Sequence, residues 1–167
     1  RIQYSENNKI KFFKNIKEIE KLNLKFDSIF LFHTLEHLIN PIEILIQLKS
    51  KLKKNGILII EVPHANDLLL SKLKINSFIN FTLWSEHLIL HTKNSLKCFL
   101  EKAGFKNNKI FFYQRYNLNN HLGWLICHKP GGHIYYNKLS NEKEIDQYNN
   151  FLIKNEDTDS IYSISKN

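Results

Sequence analysis

The chain has 167 residues, 43% of them hydrophobic and 24% charged, enough for one soluble domain with a buried core. Lys, Asn, Glu or His interrupts every apolar stretch, so none reaches the roughly 20 residues of a membrane span, and the opening RIQYSENNKIKFFKN lacks the apolar segment of a signal peptide. The formal charge of +8 comes from lysines scattered along the chain with only Arg1 and Arg115 beside them, which argues against a nucleic-acid surface.

From the N-terminus, KNIKEIEKLNLKFD (14–27) has amphipathic spacing. The run SIFLF, Ser28 to Phe32, is short, aromatic and β-branched, the pattern of a strand buried on both faces, and it ends in the polar cluster HTLEH. Asn40-Pro41 starts a helix, since Pro is preorganised for a first turn. The following IEILIQLKSKLKK keeps apolar residues at helical spacing, ends in lysines and meets Asn55-Gly56 as its stop. ILIIEVP (57–63) is a second apolar strand, so strand, helix and strand form a βαβ unit with parallel neighbours. The stretch 64–91 is irregular and mixes aromatic with polar residues, as a cover over a site would. TKNSLKCFLEKAGF is a second helix with a Thr or Asn cap, an apolar face at Leu96, Phe99 and Leu100, and Gly104 as its stop. KIFFYQRY, Lys109 to Tyr116, is the third strand. From about Asn141 the chain turns polar, which divides it into a domain at 1–140 and a tail at 141–167 that can fray. Cys98 and Cys127 do not make a disulfide framework and are expected as free thiols, as in a reducing cytoplasm.

The words FDSIFLFHTLEHLINP, LKKNGILIIEVP and SEHLILHTKNSLKCFLEKAGF, in this order and at these separations, resemble the second half of the class I S-adenosylmethionine-dependent methyltransferases, over roughly Phe26 to His133. QRYNLNNHLGWL and KPGGH are similar to a subgroup found with cell-surface polysaccharide genes. The resemblance implies an α/β fold: the second half of a Rossmann-like three-layer sandwich with a closing β-hairpin. It makes the first word the fourth strand with its loop, the second word the fifth strand, and the third word the helix before the hairpin. It also implies S-adenosylmethionine as cofactor and a small-molecule or sugar-like acceptor, with neither nucleic acid nor membrane as partner. The family's cofactor loop is a Gly-rich turn after the first strand, yet this chain has no glycine before Gly56, and Glu6 is the one candidate for the acid that holds the ribose. With Arg1 at its start and no Met, the chain is expected to continue a sheet that lies upstream, and by itself to bind cofactor weakly and be inactive.

Methyl transfer from a sulfonium is an in-line displacement, so the protein must align donor and acceptor and, for hydroxyl or carbon acceptors, take up a proton. The resemblance places Phe32, His33, Thr34 and Leu35 against the adenosine and methionine portions, with Glu36 and His37 toward the acceptor. His37 suits a general base because imidazole titrates near neutrality; the plainer role is to fix the loop. Glu36 fits a structural role, its charge favouring the N-terminus of the following helix. Glu86 and His87 are the second candidate pair, a carboxylate beside an imidazole whose basicity it can raise. Trp84, Tyr113, Tyr116 and Trp124 line either an acceptor pocket or the core. Pro130-Gly131-Gly132 is a turn, with His133 exposed beside it. No residue is assigned to a metal.

Two other readings stand beside this one. His33, Glu36 and His37 spell H-x-x-E-H, the inverzincin zinc-protease signature, which needs both histidines one turn apart on a long helix. Pro41 would end such a helix almost at once. The other is a non-catalytic module that keeps the fold without the cofactor loop. A continuous helix over 28–38 would refute the transferase reading.

Overall fold

The computed structural model describes Phe13, Glu18, Ile19 and residues 24–167; Glu6 and most of the amphipathic stretch 14–27 lie outside the described residues. Strand β1 (Phe26–Phe32) leads through a 3-10 turn (Leu35–His37) into helix α1 (Pro41–Lys51), and strand β2 (Leu52–Pro63) returns parallel to β1. Ile29 stands opposite Leu58 and Leu31 opposite Ile60, which is the βαβ unit the periodicity predicts. Pro41 sits in the first turn of α1, where a missing N–H costs no helical bond. The helix closes at Lys51, before the expected Asn55-Gly56 stop. Asn55 instead takes a φ of 65° early in β2, where the pairing register with β1 shifts between Phe26 and Ser28. Gly56 suits this crowded corner because a Cβ there would stand 3.0 Å from the Lys53 carbonyl oxygen and 3.1 Å from that of Phe26.

The stretch after β2 holds a π-helical turn (Leu68–Lys72), capped by the Asp67 side chain, and helix α2 (Asn76–Thr82). Helix α3 (Lys93–Lys102) opens on a capping box between Thr92 and Ser95, and Gly104 with φ 83° lies just past its end, as its sequence predicts. Strand β3 (Lys106–Tyr113), helices α4 (Leu118–Cys127), α5 (Gly132–Tyr135) and α6 (Glu142–Lys154), and strand β4 (Ser160–Lys166) complete the chain. The sheet runs β1-β2-β4-β3, with β4 antiparallel to both of its neighbours. The antiparallel closing pair is therefore present, although α4 to α6 join its strands where a tight hairpin turn was expected.

The frayed tail expected at 141–167 is corrected by the same elements. Asn141 and Glu144 form a capping box that starts α6, and β4 is an interior strand paired on both sides. Its residues facing the helices are Ile161, Ser163 and Ser165, all buried, and they stand opposite Val62, Ile60 and Leu58. Two serines at core-facing positions give SIYSISK a polar appearance while its backbone is fully engaged.

Leu58, Ile60, Val62 and Ile161 pack with Leu45 of α1, Leu96 and Leu100 of α3, and Phe105 in one buried cluster. At roughly 1.5–3 kcal/mol for each large aliphatic or aromatic side chain, this burial is the main favourable term of the fold. Ile29 and Leu31 lean against the cluster, while Phe30 and Phe32 are 53% and 56% exposed. Strand β1, expected to be buried on both faces, is thus covered on one face among the described residues, because α1 and α3 both pack into that same cluster.

Candidate active site

The carboxyl end of β1 sets the first side of the site. His33 takes a left-handed φ of 46°, and its amide donates to the Glu61 carbonyl 3.0 Å away, which holds the turn against β2. Thr34 Oγ1 donates to the Phe32 carbonyl at 2.9 Å. The residues 28–38 are a strand followed by a short 3-10 turn, not one helix, so the zinc-protease reading of H-x-x-E-H loses the helical turn it requires. The His33 ring lies 3.2 Å from Glu61 Oε1 and 3.5 Å from Glu36 Oε1, and it also meets the Arg115 guanidinium. Glu36 is the main influence raising the His33 imidazole above its ordinary value, against burial and the Arg115 charge.

Phe32, His33 and Thr34 form the open rim of this turn. Leu35, expected with them at the cofactor, is fully buried in the hydrophobic cluster, so only its backbone is on offer to a ligand. Glu36 is also fully buried, and its backbone carbonyl accepts from Leu88 N at 2.9 Å and Ile89 N at 3.3 Å. That stitch draws the 84–89 loop onto the turn. His37 Nδ1 then donates to the Glu86 carbonyl at 2.7 Å, and its ring lies 4.9 Å from that of His87 and 6.4 Å from that of Trp84. The structure therefore brings His37 and His87 together, residues 50 apart in the chain, while Glu86 enters through its backbone carbonyl with its side chain exposed.

A cavity of about 210 Å³ opens beside this junction, lined by His33, Asp67, Phe81, His87, Arg115 and Asp159 among others. Its walls come from loops at the carboxyl ends of β1, β2 and β3 and from the start of β4, the position where ligands bind in open α/β sheets. Tyr116, open in sequence between an acceptor pocket and the core, lines it. Trp124 is buried against Phe78 and Phe81, whereas Trp84 and Tyr113 are each 45% exposed. Gly131, with φ 95°, makes the expected turn, and exposed His133 meets Asn120 Oδ1 at 3.3 Å.

The pocket's acids were not legible in the sequence. Asp67 Oδ1 accepts from Leu69 N at 2.6 Å and Leu70 N at 3.1 Å, while Oδ2 is buried without a partner among the described residues. Burial, reinforced by the Asp159 charge, pushes the Asp67 carboxyl up to about 7. Asp159 is better served, since Oδ1 accepts from Arg115 N and Oδ2 from Tyr116 N and the Gln114 side chain, yet burial still raises it. His121 Nδ1 meets Tyr148 Oη at 2.7 Å, and burial pushes its imidazole down to about 4. His64, with Nδ1 on the Thr158 carbonyl, is likewise lowered by burial. Asp67 caps the turn that follows it, and only tertiary packing makes that capping residue a buried acid.

Comparison with known proteins follows the same lines. A family model described as a methyltransferase domain matches residues 3–110. No curated protein matches the chain significantly. Among solved structures, the chain is similar to a SAM-dependent methyltransferase of Archaeoglobus fulgidus, with a TM-score of 0.54 and 24% identity over 91% of this chain and 64% of that one. It is also similar to a SAM-dependent methyltransferase of Thermotoga maritima, with a TM-score of 0.52 and 18% identity over 88% of this chain and 59% of that one. At such identities the likeness is one of fold, and the chain spans less than two thirds of either relative.

Proposed function

This chain belongs to the methyltransferase-domain family, and on that premise we propose that it carries the donor rim and the acceptor pocket of an enzyme that methylates a small-molecule, sugar-like acceptor from S-adenosylmethionine. The observation that carries this reading is the cavity itself: His33 of the donor-side turn and the buried acid Asp67 line one space of about 210 Å³. When bound, S-adenosylmethionine supplies an electrophilic methyl group. The residues present fit such a donor, because an aromatic face is left 56% exposed at Phe32, where a strand ends in a turn. Phe32 would hold the flat base, and the backbone of His33 and Thr34 the polar remainder.

The acceptor side sets Asp67, Asp159 and His87 among the apolar faces of Phe78, Phe81 and Tyr116, which supports a ligand with hydroxyl groups on an apolar ring face, as a sugar-like one has. Asp67 is placed to take the proton of an acceptor hydroxyl, since a carboxyl held near 7 is matched to neutral pH. His87 lines the same wall, with His37 behind it, so these two imidazoles orient the acceptor, and Glu86 positions His37 through its carbonyl. His33, linked to Arg115 across the pocket mouth, keeps donor and acceptor portions adjacent.

Calorimetric titration of S-adenosylmethionine tests the reading, first against this chain and then against a version extended upstream by a strand and Gly-rich loop. Weak binding to the first and clear binding to the second is expected, with Phe32→Ala lowering the latter about tenfold, the equivalent of about 1.4 kcal/mol of lost contact. Equal, tight binding to both, unaffected by Phe32→Ala, would show that the donor site has been misplaced.

A further inference from the structure

We infer that Glu36, His37 and His87 form a binding site for a divalent transition-metal ion in the wall of the acceptor pocket. The ligand-capable atoms of the three side chains lie within 4.8 Å of one another. Glu36 has no solvent exposure, and neither of its carboxylate oxygens has a hydrogen-bond partner among the described residues. A carboxylate buried in that way is costly unless a cation or donor completes it. The nearest nitrogens are those of imidazoles, His33 Nδ1 at 3.5 Å and His37 Nε2 at 3.8 Å, ion-pair distances that are long for a hydrogen bond.

The orientation of the two imidazoles is the second, independent observation. His37 Nδ1 faces the Glu86 carbonyl at 2.7 Å, and His87 Nδ1 faces the Thr82 carbonyl at 2.7 Å. A carbonyl oxygen only accepts, so each Nδ1 carries the N–H and each Nε2 is left as the atom to bind something else. An outer hydrogen bond of this type is what orients a metal-ligating histidine and fixes its tautomer. Metal–ligand bonds of about 2.0–2.1 Å put neighbouring donor atoms of a tetrahedral site about 3.4 Å apart. The 3.8 Å between His37 Nε2 and Glu36 Oε1 is already close to that edge, and the rest is within reach of small side-chain rotations.

The backbone supports the cluster as well. Glu36 and His37 sit on one short turn, and Leu88 N and Ile89 N bond the Glu36 carbonyl, so the loop bearing His87 is fastened to the turn bearing the other two ligands. Two imidazoles and one carboxylate select zinc, iron(II), cobalt or manganese over magnesium or calcium, which take oxygen ligands. Three protein ligands leave a four-coordinate ion one further position. His87 lines the cavity, so an oxygen of the acceptor, or water, would fill that position. The site is distinct from the zinc-protease pattern: Glu36 is a ligand and not a base, and His33, 3.5 Å from Glu36 Oε1, is held by Glu61 and Arg115 as a neighbour of that ligand. It rests on the proposed transfer reaction only for the use of that open position.

Metal binding is measured on the full chain after chelator treatment, with no S-adenosylmethionine present. Calorimetry with zinc chloride is expected to give one equivalent per chain, cobalt chloride to give visible absorption bands of a low-coordinate site, and magnesium chloride to give no such binding. Glu36→Gln and His87→Asn are each expected to weaken zinc binding on the order of 100-fold, as loss of an inner ligand should exceed the effect of an outer one. His128→Asn, at an exposed left-handed position that Asn tolerates, leaves it unchanged. Because Glu36 is buried and its variant could unfold, His87→Asn with an unchanged circular dichroism spectrum carries the decision. Absence of stoichiometric zinc binding, or binding that survives both substitutions, overturns the inference. Failure of S-adenosylmethionine binding by the version extended upstream, with zinc binding intact, would count against the transfer reading alone.

Discussion

Asp67→Asn separates the cost of the buried acid from everything else in the pocket. Asn keeps the carbonyl oxygen that caps the π-helical turn through Leu69 N and Leu70 N, but it cannot ionise. In the folded chain the Asp67 carboxyl stands at about 7, first because it is buried and then because Asp159 and Asp157 lie near it, against an ordinary value of 3.8. The folded state therefore binds this proton more tightly than the unfolded state. The stability that results is fully present below about pH 4, is lost as pH rises to about 7, and is constant beyond. A gap of about 3 between the two values, at 1.36 kcal/mol for each, amounts to something of order 4 kcal/mol. Urea unfolding of both proteins from pH 4 to pH 8 reads this directly. The stability of Asp67→Asn relative to the parent should climb by that amount between pH 4 and 7 and then level off. A difference that stays flat within about 1 kcal/mol over the range would show that Asp67 is not held protonated by its surroundings.

His121 should show the opposite slope. Its imidazole is pushed down to about 4 by burial, so its contribution is complete above about 6.5 and is lost as pH falls through 4; the unfolding free energy of the parent relative to His121→Gln, read by urea unfolding, should fall by about 3 kcal/mol over that window. A parallel pH profile for the two proteins would refute the assignment. The contact between α4 and α5 offers a backbone test, because a Cβ on Gly132 would lie 2.1 Å from the Asn119 carbonyl oxygen and one on Gly123 would lie 2.7 Å from the Gly132 Cα. Gly132→Ala is expected to cost about 1–3 kcal/mol and to speed amide exchange across α4; unchanged melting and exchange would mean that the helices do not approach so closely.

Periodicity and punctuation were enough for the βαβ unit, the capped helix α3 and the polar corner at HTLEH, because these depend on local pattern: a short apolar run, Pro at a helix start, Thr and Ser at a cap, Gly at an end. The family resemblance pointed to His37 and His87 as separate candidates. What the tertiary structure alone decided was that they meet, since the contact depends on Glu36 receiving Leu88 and Ile89 across a loop closure that no local spacing encodes. It also decided the place of β4. An interior strand whose backbone is satisfied on both edges can carry Ser163 and Ser165 toward the core, so its sequence resembles a polar tail until its neighbours are known. Asp67 is the same lesson in electrostatics: a capping residue and a buried proton acceptor have one sequence signature, and only the packing of Asp159 and the surrounding loops against it removes the water that would keep it ionised.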